Sequence, residues 1–108
     1  MPKAAKDSGD ADTNREIQRF SMAALEFAKK VVDGSLSDQE KSEAKQMAEQ
    51  LPDFAAKARQ LPDAYRAGAS KTLADARLDF AYVAADGGVP SSTRLGWYIK
   101  EKGEVADP

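Results

Sequence analysis

Residues 15–34 read REIQRFSMAALEFAKKVVDG, and their hydrophobic pattern decides the fold class. At about 100° per residue, the apolar side chains fall on one broad face of a helix and most charged side chains fall on the opposite face. A helix with one apolar face needs a partner to cover it, so this stretch predicts a core-facing helix. Gly34 is a natural stop for that helix. The apolar face comprises Ile17, Phe20, Ala24, Leu25, Phe27, Ala28, Val31 and Val32.

The helix is expected to begin at Thr13. Thr13 and Glu16 fit the capping box, in which a Thr and a Glu three residues later satisfy each other's backbone amides. Residues 1–11 are small and charged without an apolar period, which predicts a flexible tail. Residues 104–108 are predicted to be disordered as well, and residues 12–103 are then a single helical domain.

More helices are expected downstream. The segment SDQE at residues 37–40 repeats the capping-box pattern and predicts a second helix that runs to about Leu51. A third helix is predicted over residues 71–86, with Gly87-Gly88 as its stop. Residues 92–102 fit a short helix or a short strand. Because nothing else alternates with period two, the chain is predicted to be all-α, a compact bundle of four to five short helices.

The tetrapeptide Gln-Leu-Pro-Asp occurs twice, in QLPDFAAKARQLPD at residues 50–63. It is either a binding signature or punctuation between helices. Proline disfavours helical geometry in the residue before it, yet it suits the first turn of a new helix. The aspartate that follows each proline suits the positive end of a helix. We therefore interpret both copies as places where one helix ends and the next begins, or as kinks.

The composition excludes several classes of function. Among 108 residues there is no cysteine and no histidine, which rules out disulfides, thiolate nucleophiles, imidazole bases and Cys/His zinc sites. No apolar run approaches the roughly 20 residues that span a bilayer, and the N-terminal segment lacks the apolar stretch of a secretory signal. The formal net charge of −2 is unlike that of a strongly basic nucleic-acid binder. We expect a cytoplasmic protein that is not bound to a membrane.

Carboxylates are the acid–base groups that remain, in particular the pair Asp75 and Asp79 and the pair Glu40 and Glu43. Such pairs can hold a divalent metal or act as acid and base. On amphipathic helices, however, they are usually part of a solvated face. No glycine-rich loop ends in Lys-Ser or Lys-Thr to hold a phosphate. The sequence therefore predicts no catalytic site, no cofactor and no metal site.

A second apolar spot lies on the helix predicted over residues 71–86. Leu78 and Tyr82 are four residues apart and lie away from the main apolar stripe. Such a spot fits either a partner surface or another helix of the same domain. We expect a non-catalytic assembly subunit that contacts another protein or a larger complex, with a second copy of the chain left open as a partner. The expected docking residues are Leu78, Tyr82, Trp97 and Tyr98.

Nucleic-acid binding is the alternative. Residues 73–103 resemble a degenerate helix-turn-helix, most clearly in AADGGVPSSTRLGWYIKEKG, with a glycine turn at Gly88 and an apolar Trp97. The resemblance implies that the last helix enters the DNA major groove. It departs from the motif at Arg94, where the family has a buried apolar residue, and at Gly96, which weakens the helix. The residues that would face DNA are Ser91, Ser92, Arg94 and Lys100.

A local basic region supports the same alternative. Lys57, Arg59, Arg66 and Lys71 occur within fifteen residues, and such a patch either follows a phosphate backbone or is a solvated face. The order of FAKKVV, a helix ending in a leucine–proline step and AYRAGAS is similar to that of the small helical subunits of type III CRISPR complexes. That resemblance implies a non-catalytic subunit of a nucleoprotein complex, whose basic residues contact the RNA or DNA backbone.

Overall fold

The computed structural model describes residues 2–88 and 93–102, and side chains within residues 9–88 and 94–100. Its described residues contain helices and no strand, which confirms the all-α fold. Helix α1 makes its most extensive contacts with α4, and α5 packs on both of them. The helices are α1 (Pro2–Asp33), α2 (Asp38–Ala48), α3 (Leu51–Arg59), α4 (Asp63–Ala84) and α5 (Thr93–Lys102).

The junction between α1 and α2 follows the sequence signals closely. Gly34 has a φ of +72°, a left-handed conformation in which glycine avoids a side-chain clash. The amide of Ser35 then donates to the carbonyl of Lys30 at 2.8 Å, which closes the end of α1. Ser37 caps α2, and both halves of the predicted capping box with Glu40 are formed. The turn between the two helices is therefore fixed by local chemistry.

Both Leu-Pro-Asp copies mark the start of a helix. Pro52 lies in the first turn of α3, and Pro62 is the residue immediately before α4. Asp53 and Asp63 each fall in a first helical turn, where the positive end of the helix favours a carboxylate. The interpretation of the repeat as punctuation between helices is thus confirmed, in the form of new helix starts.

A cluster of aromatic rings joins α1, α3 and α4. The ring centroid of Phe20 lies 4.3 Å from that of Phe54 and 5.4 Å from that of Phe80. Aromatic rings at these separations bury a large apolar area and add a favourable ring–ring term. The predicted face of α1 packs onto this cluster. Its fully or nearly fully buried members are Ile17, Phe20, Ala24, Ala28 and Val32.

Two predicted helix starts are wrong. Helix α1 spans Pro2–Asp33, so Thr13 lies inside the helix and not at its start, whereas the flexible tail expected over residues 1–11 stays a prediction. Lysine and alanine favour helix before Thr13, and proline is compatible with a first turn, although the segment has no apolar period. Helix α4 begins at Asp63, eight residues before the predicted start, because the Leu-Pro-Asp step initiates it directly.

Residues 92–102 were left open between helix and strand. The structure has a helix over Thr93–Lys102, with Leu95 and Ile99 buried one turn apart. The predicted disordered segment over residues 104–108 lies outside the described residues.

Helix α1 alone would be about 48 Å long, close to the largest dimension of the molecule, 54 Å. No described helix has both the length and the apolar character needed to cross a lipid bilayer.

Candidate functional site

The side of α4 that points away from the core carries a row of apolar residues. Leu78 is the largest of them, and 45% of its surface is exposed. Exposed alanines precede and follow it at intervals of three, four and seven residues, which places them along one line of the helix. Most buried residues of α4 lie on the other side of the helix, whereas the buried Tyr82 lies one turn after Leu78, next to the row. We name this row the α4 outer face: Ala67, Ala74, Leu78, Ala81 and Ala85.

Two cations accompany the α4 outer face. Lys71 is exposed and lies in the same row, seven residues before Leu78, and Arg77 is exposed beside it. Neither forms a salt bridge with another described residue. The surface therefore combines small apolar side chains, which allow another helix to approach closely, with unpaired positive charge.

Tyr82 was expected to share this surface with Leu78, and that expectation is wrong. Only 8% of Tyr82 is exposed, and it belongs to the core. Gly87, with a φ of +85°, lies so close that a β-carbon there would come within 3.2 Å of the Tyr82 hydroxyl oxygen. The turn after α4 thus folds over the tyrosine ring and removes it from the surface.

Arg94 is held inside the molecule by a buried carboxylate. Its Nη2 and Nε donate to Oδ2 of Asp79 at 2.5 and 3.1 Å. The same Nη2 donates to Oγ of Ser21 at 2.9 Å and to the Ser21 carbonyl at 3.2 Å. Ser21 in turn donates to the carbonyl of Thr72 at 3.2 Å. This network, the Arg94 network, joins α5 to both α1 and α4.

The Arg94 network argues against the predicted role of Arg94 in facing DNA. Asp79 has 0% of its side chain exposed, and a carboxylate without a partner at such depth would be strongly unfavourable. Arg94 supplies the compensating charge and hydrogen bonds. A sequence signal existed, because Asp79 lies among the core positions Ala76, Phe80 and Val83 of α4. A charge at a buried position requires an opposite charge from another element.

Trp97 and Tyr98, the other two expected docking residues, differ in their surroundings. Trp97 is 63% exposed, on the side of α5 opposite to the buried Leu95 and Ile99. Tyr98 is half-buried, and its hydroxyl donates to the carboxylate of Asp33 at 2.9 Å. Tyr98 therefore attaches α5 to the end of α1, whereas Trp97 offers its indole to solvent.

The structure places the expected basic residues on the surface of α3, α4 and α5. Lys57 forms a salt bridge with Glu16 at 3.0 Å, and Arg66 forms one with Asp63. Such exposed pairs are weak, so both cations remain able to exchange partners. The unpaired members among the described residues are Arg59, Lys71 and Lys100, and all three are exposed.

The members of the two predicted carboxylate pairs, Asp75 with Asp79 and Glu40 with Glu43, differ in their contacts. Asp79 is bound by Arg94, whereas Asp75, one helical turn earlier on α4, is half-buried. Glu40 accepts hydrogen bonds from the Lys30 ammonium and the Ser37 backbone amide, which lower the pKa of Glu40 to about 2. Among the side chains that the structure describes, in residues 9–88 and 94–100, no three acidic groups converge to hold a metal ion.

The helix-turn-helix resemblance is only partly covered by the structure. Its turn and the residues Ser91 and Ser92 lie outside the described residues. Comparison of the chain with protein-family models, with curated proteins and with solved structures gives no significant match. The resemblances to DNA-binding motifs and to CRISPR small subunits therefore stay predictions.

Proposed function

We propose that the protein is a non-catalytic helical subunit that binds another protein through the α4 outer face. The observation that carries this proposal is the exposure of Leu78 in the middle of a row of exposed alanines. A single exposed leucine is ordinary on a protein surface. A leucine centred on a continuous helical row of small apolar residues is the pattern that a second helix can cover.

Leu78 alone supplies too little binding free energy, so the whole α4 outer face has to contact the partner. Complete burial of a leucine side chain contributes about 1.5–3 kcal/mol, so burying the exposed part of Leu78 contributes about 1 kcal/mol. That amount alone changes an affinity by a factor of only about five. The alanines before and after Leu78 add apolar area over about five turns of α4. Leu78 is thus the centre of the surface, and close helix packing along the row supplies the rest.

The partner is best matched by a helix with apolar residues at alternating intervals of three and four. Lys71 and Arg77 lie in and beside the row, so carboxylates at the edge of the partner helix would meet opposite charge. Trp97 on α5 is a second exposed apolar residue and a secondary contact for the same or another partner. A second copy of the chain is a further candidate partner. Self-association would be recognised by its dependence on protein concentration.

Nucleic acid is the competing ligand. The exposure of Arg59 and Lys71 without salt bridges to other described residues supports that alternative. Arg94 is withdrawn from it by the Arg94 network. Binding to a phosphate backbone would fall steeply as salt rises, whereas helix docking through apolar residues would not.

The test is a pull-down from a native lysate of the source cells, with and without nuclease, using wild-type protein and two variants. Leu78→Asp places a charge at the centre of the α4 outer face. Met22→Asp is the matched control, because Met22 is also an exposed apolar residue, 51% exposed, on α1. We expect one protein to be captured regardless of nuclease, retained by Met22→Asp and weakened at least about tenfold by Leu78→Asp.

Two results would contradict the proposal. One is capture that disappears with nuclease, or in a further variant with Lys57, Arg59 and Arg66 replaced by Glu, which would assign the protein to nucleic-acid binding. The other is capture that Leu78→Asp and Met22→Asp weaken equally. Circular dichroism of both variants checks that each remains folded.

A further inference from the structure

A groove separates α2 from the C-terminal end of α4, on a different side of α4 from the outer face. Its volume is about 580 Å³. The floor is formed by Ala44, Phe80 and Val83, which are all nearly fully buried. Ala48 and Ala84 form its walls. A groove of this size and apolar character falls within the range of small-molecule binding sites.

The groove exists because its walls are made of small residues. Protein cores are normally packed to near-crystalline density, and larger side chains at Ala48 or Ala84 would extend into the space. Both alanines have exposed surface, with Ala48 partly exposed and Ala84 fully so. The chain therefore keeps an apolar groove open to solvent, where filling it would be expected to add stability.

Two lysines of α2 lie at the rim of the groove. Lys41 and Lys45 both line it, one helical turn apart. Lys41 is occupied by a salt bridge to Asp86 at 2.6 Å. Lys45 is exposed, and none of the described residues forms a salt bridge with it. Because Lys41 is paired with Asp86, Lys45 is the lining cation that remains available to a ligand, and Asp38 in the first turn of α2 adds one carboxylate to the same lining.

We propose that this groove binds an anionic amphiphile, with its hydrocarbon chain between α2 and α4 and its carboxylate against Lys45. The hydroxyl of Ser42, three residues before Lys45 and also in the groove lining, is placed to donate to the same carboxylate. The chain occupies the apolar floor, whose burial supplies most of the affinity. The exposed ammonium supplies a smaller amount and selects anions over cations.

A docked helix suits the groove less well. Helix-in-groove recognition uses anchors at i, i+3, i+4 and i+7 along two turns or more. The α2 side of the groove extends from Asp38 to Ala48, about three turns, but the α4 side extends only from Phe80 to Ala84, about one turn, which is too short to contact the anchors of a second helix. A thin, flexible chain matches so short a wall, and a carboxylate matches the charge at its rim.

The experiment titrates decanoate, below its micelle concentration, into the isotope-labelled full chain and follows backbone amide shifts by NMR. Decyltrimethylammonium has the same chain length and the opposite charge. We expect saturable decanoate shifts confined to α2 and the end of α4, and at least about tenfold weaker binding of the cation. We expect Lys45→Gln to weaken decanoate binding about two- to fivefold. Lys71→Gln, an exposed lysine on the α4 outer face, should leave it unchanged.

Filling the groove gives the second set of variants. Ala48→Phe should abolish decanoate binding, and Ala84→Leu, at an exposed position that tolerates a larger side chain, provides the same test if Ala48→Phe does not fold. Ala64→Phe, exposed in the first turn of α4, is the control. The proposal is overturned by the lack of saturable shifts, by equal binding of the cation, or by binding that survives both filled variants. A concentration-dependent dimer that Ala84→Leu removes would also overturn it, because the occupant would then be a second copy.

Discussion

At the scale of single residues, Asp79 is the one charged residue that is buried among the described residues. It lies on the buried side of α4 with 0% of its side chain exposed, and Arg94 reaches it from another helix. Breaking a buried ion pair costs more than the pair contributes, because the remaining charge stays without a partner. Arg94 itself retains 27% side-chain exposure, so its own loss of hydration is smaller than that of Asp79.

Arg94→Ala is therefore expected to lower the free energy of unfolding by about 2–4 kcal/mol. That is a large share of the roughly 5–15 kcal/mol that stabilises a typical domain. Urea denaturation followed by circular dichroism measures the change, and Arg77→Ala, an exposed arginine on α4, is the control. The loss should shrink when Asp79 is first replaced by Leu, since no buried charge is then left. An effect of Arg94→Ala within about 0.5 kcal/mol of the control would contradict this role.

The role of a residue could be predicted from the sequence where its contacts are with residues a few positions away. Ser37 and Gly34 act on backbone groups a few residues away, so their roles were visible in the sequence. Arg94 pairs with residues 15 and 73 positions away, and no local pattern contains that information. Tyr82 was misplaced although its cover, the turn at Gly87, is only five residues away, because helical periodicity does not show how the chain folds back after the helix ends.

At the scale of helices, the link between α1 and α2 combines a cap with a salt bridge. The Lys30 ammonium donates to Glu40, and the Ser37 amide donates to the same carboxylate. The hydrogen bond from Lys30 is the main reason that the pKa of Glu40 falls from 4.5 to about 2. The same bond raises the pKa of Lys30. The helix pair is thus stabilised by the ionised form of Glu40.

Glu40→Gln should remove a pH-dependent part of the stability. Because folding lowers the pKa of Glu40, its contribution is fully present above about pH 4.5 and is lost as the pH falls towards about 2. Glutamine can still accept from the Ser37 amide, so the variant isolates the charge. Thermal unfolding from pH 2 to pH 7 should show wild type and Glu40→Gln converging at the acid end. Glu43→Gln, exposed on the same helix, is the control, and a wild-type difference that stays constant with pH would argue against the assignment.

Helix ends were predicted well where a glycine or a capping residue ends or starts the helix. They were predicted poorly where the segment has no clear apolar period. The end of α1 at Asp33 and the start of α2 at Asp38 agree with the glycine and serine signals. The segment DAYRAGAS at the start of α4 has no clear apolar period, so periodicity missed those eight residues. In α1, the helix continues through the Thr13 capping pattern.

At the scale of the whole molecule, different surfaces have different proposed roles. The α4 outer face, with Leu78 at its centre, is proposed to bind a partner helix, and the groove between α2 and α4 is proposed to hold an anionic amphiphile. The exposed cations on α3 support the alternative proposal, that the protein binds nucleic acid. The sequence pointed to Leu78 because it lies off the buried stripe of α4. It did not reveal the groove, because a groove depends on how α2 and α4 pack.

The most direct test is a footprint of the captured partner on the isotope-labelled protein, read from backbone amide shifts. We predict that the largest shifts fall on the α4 outer face, at Ala74, Leu78 and Ala81. We also predict that they persist at about 0.5 M salt, where the Debye length is only about 4 Å. Shifts centred instead on Arg59 and the rest of α3, and lost as salt is raised, would contradict the proposal.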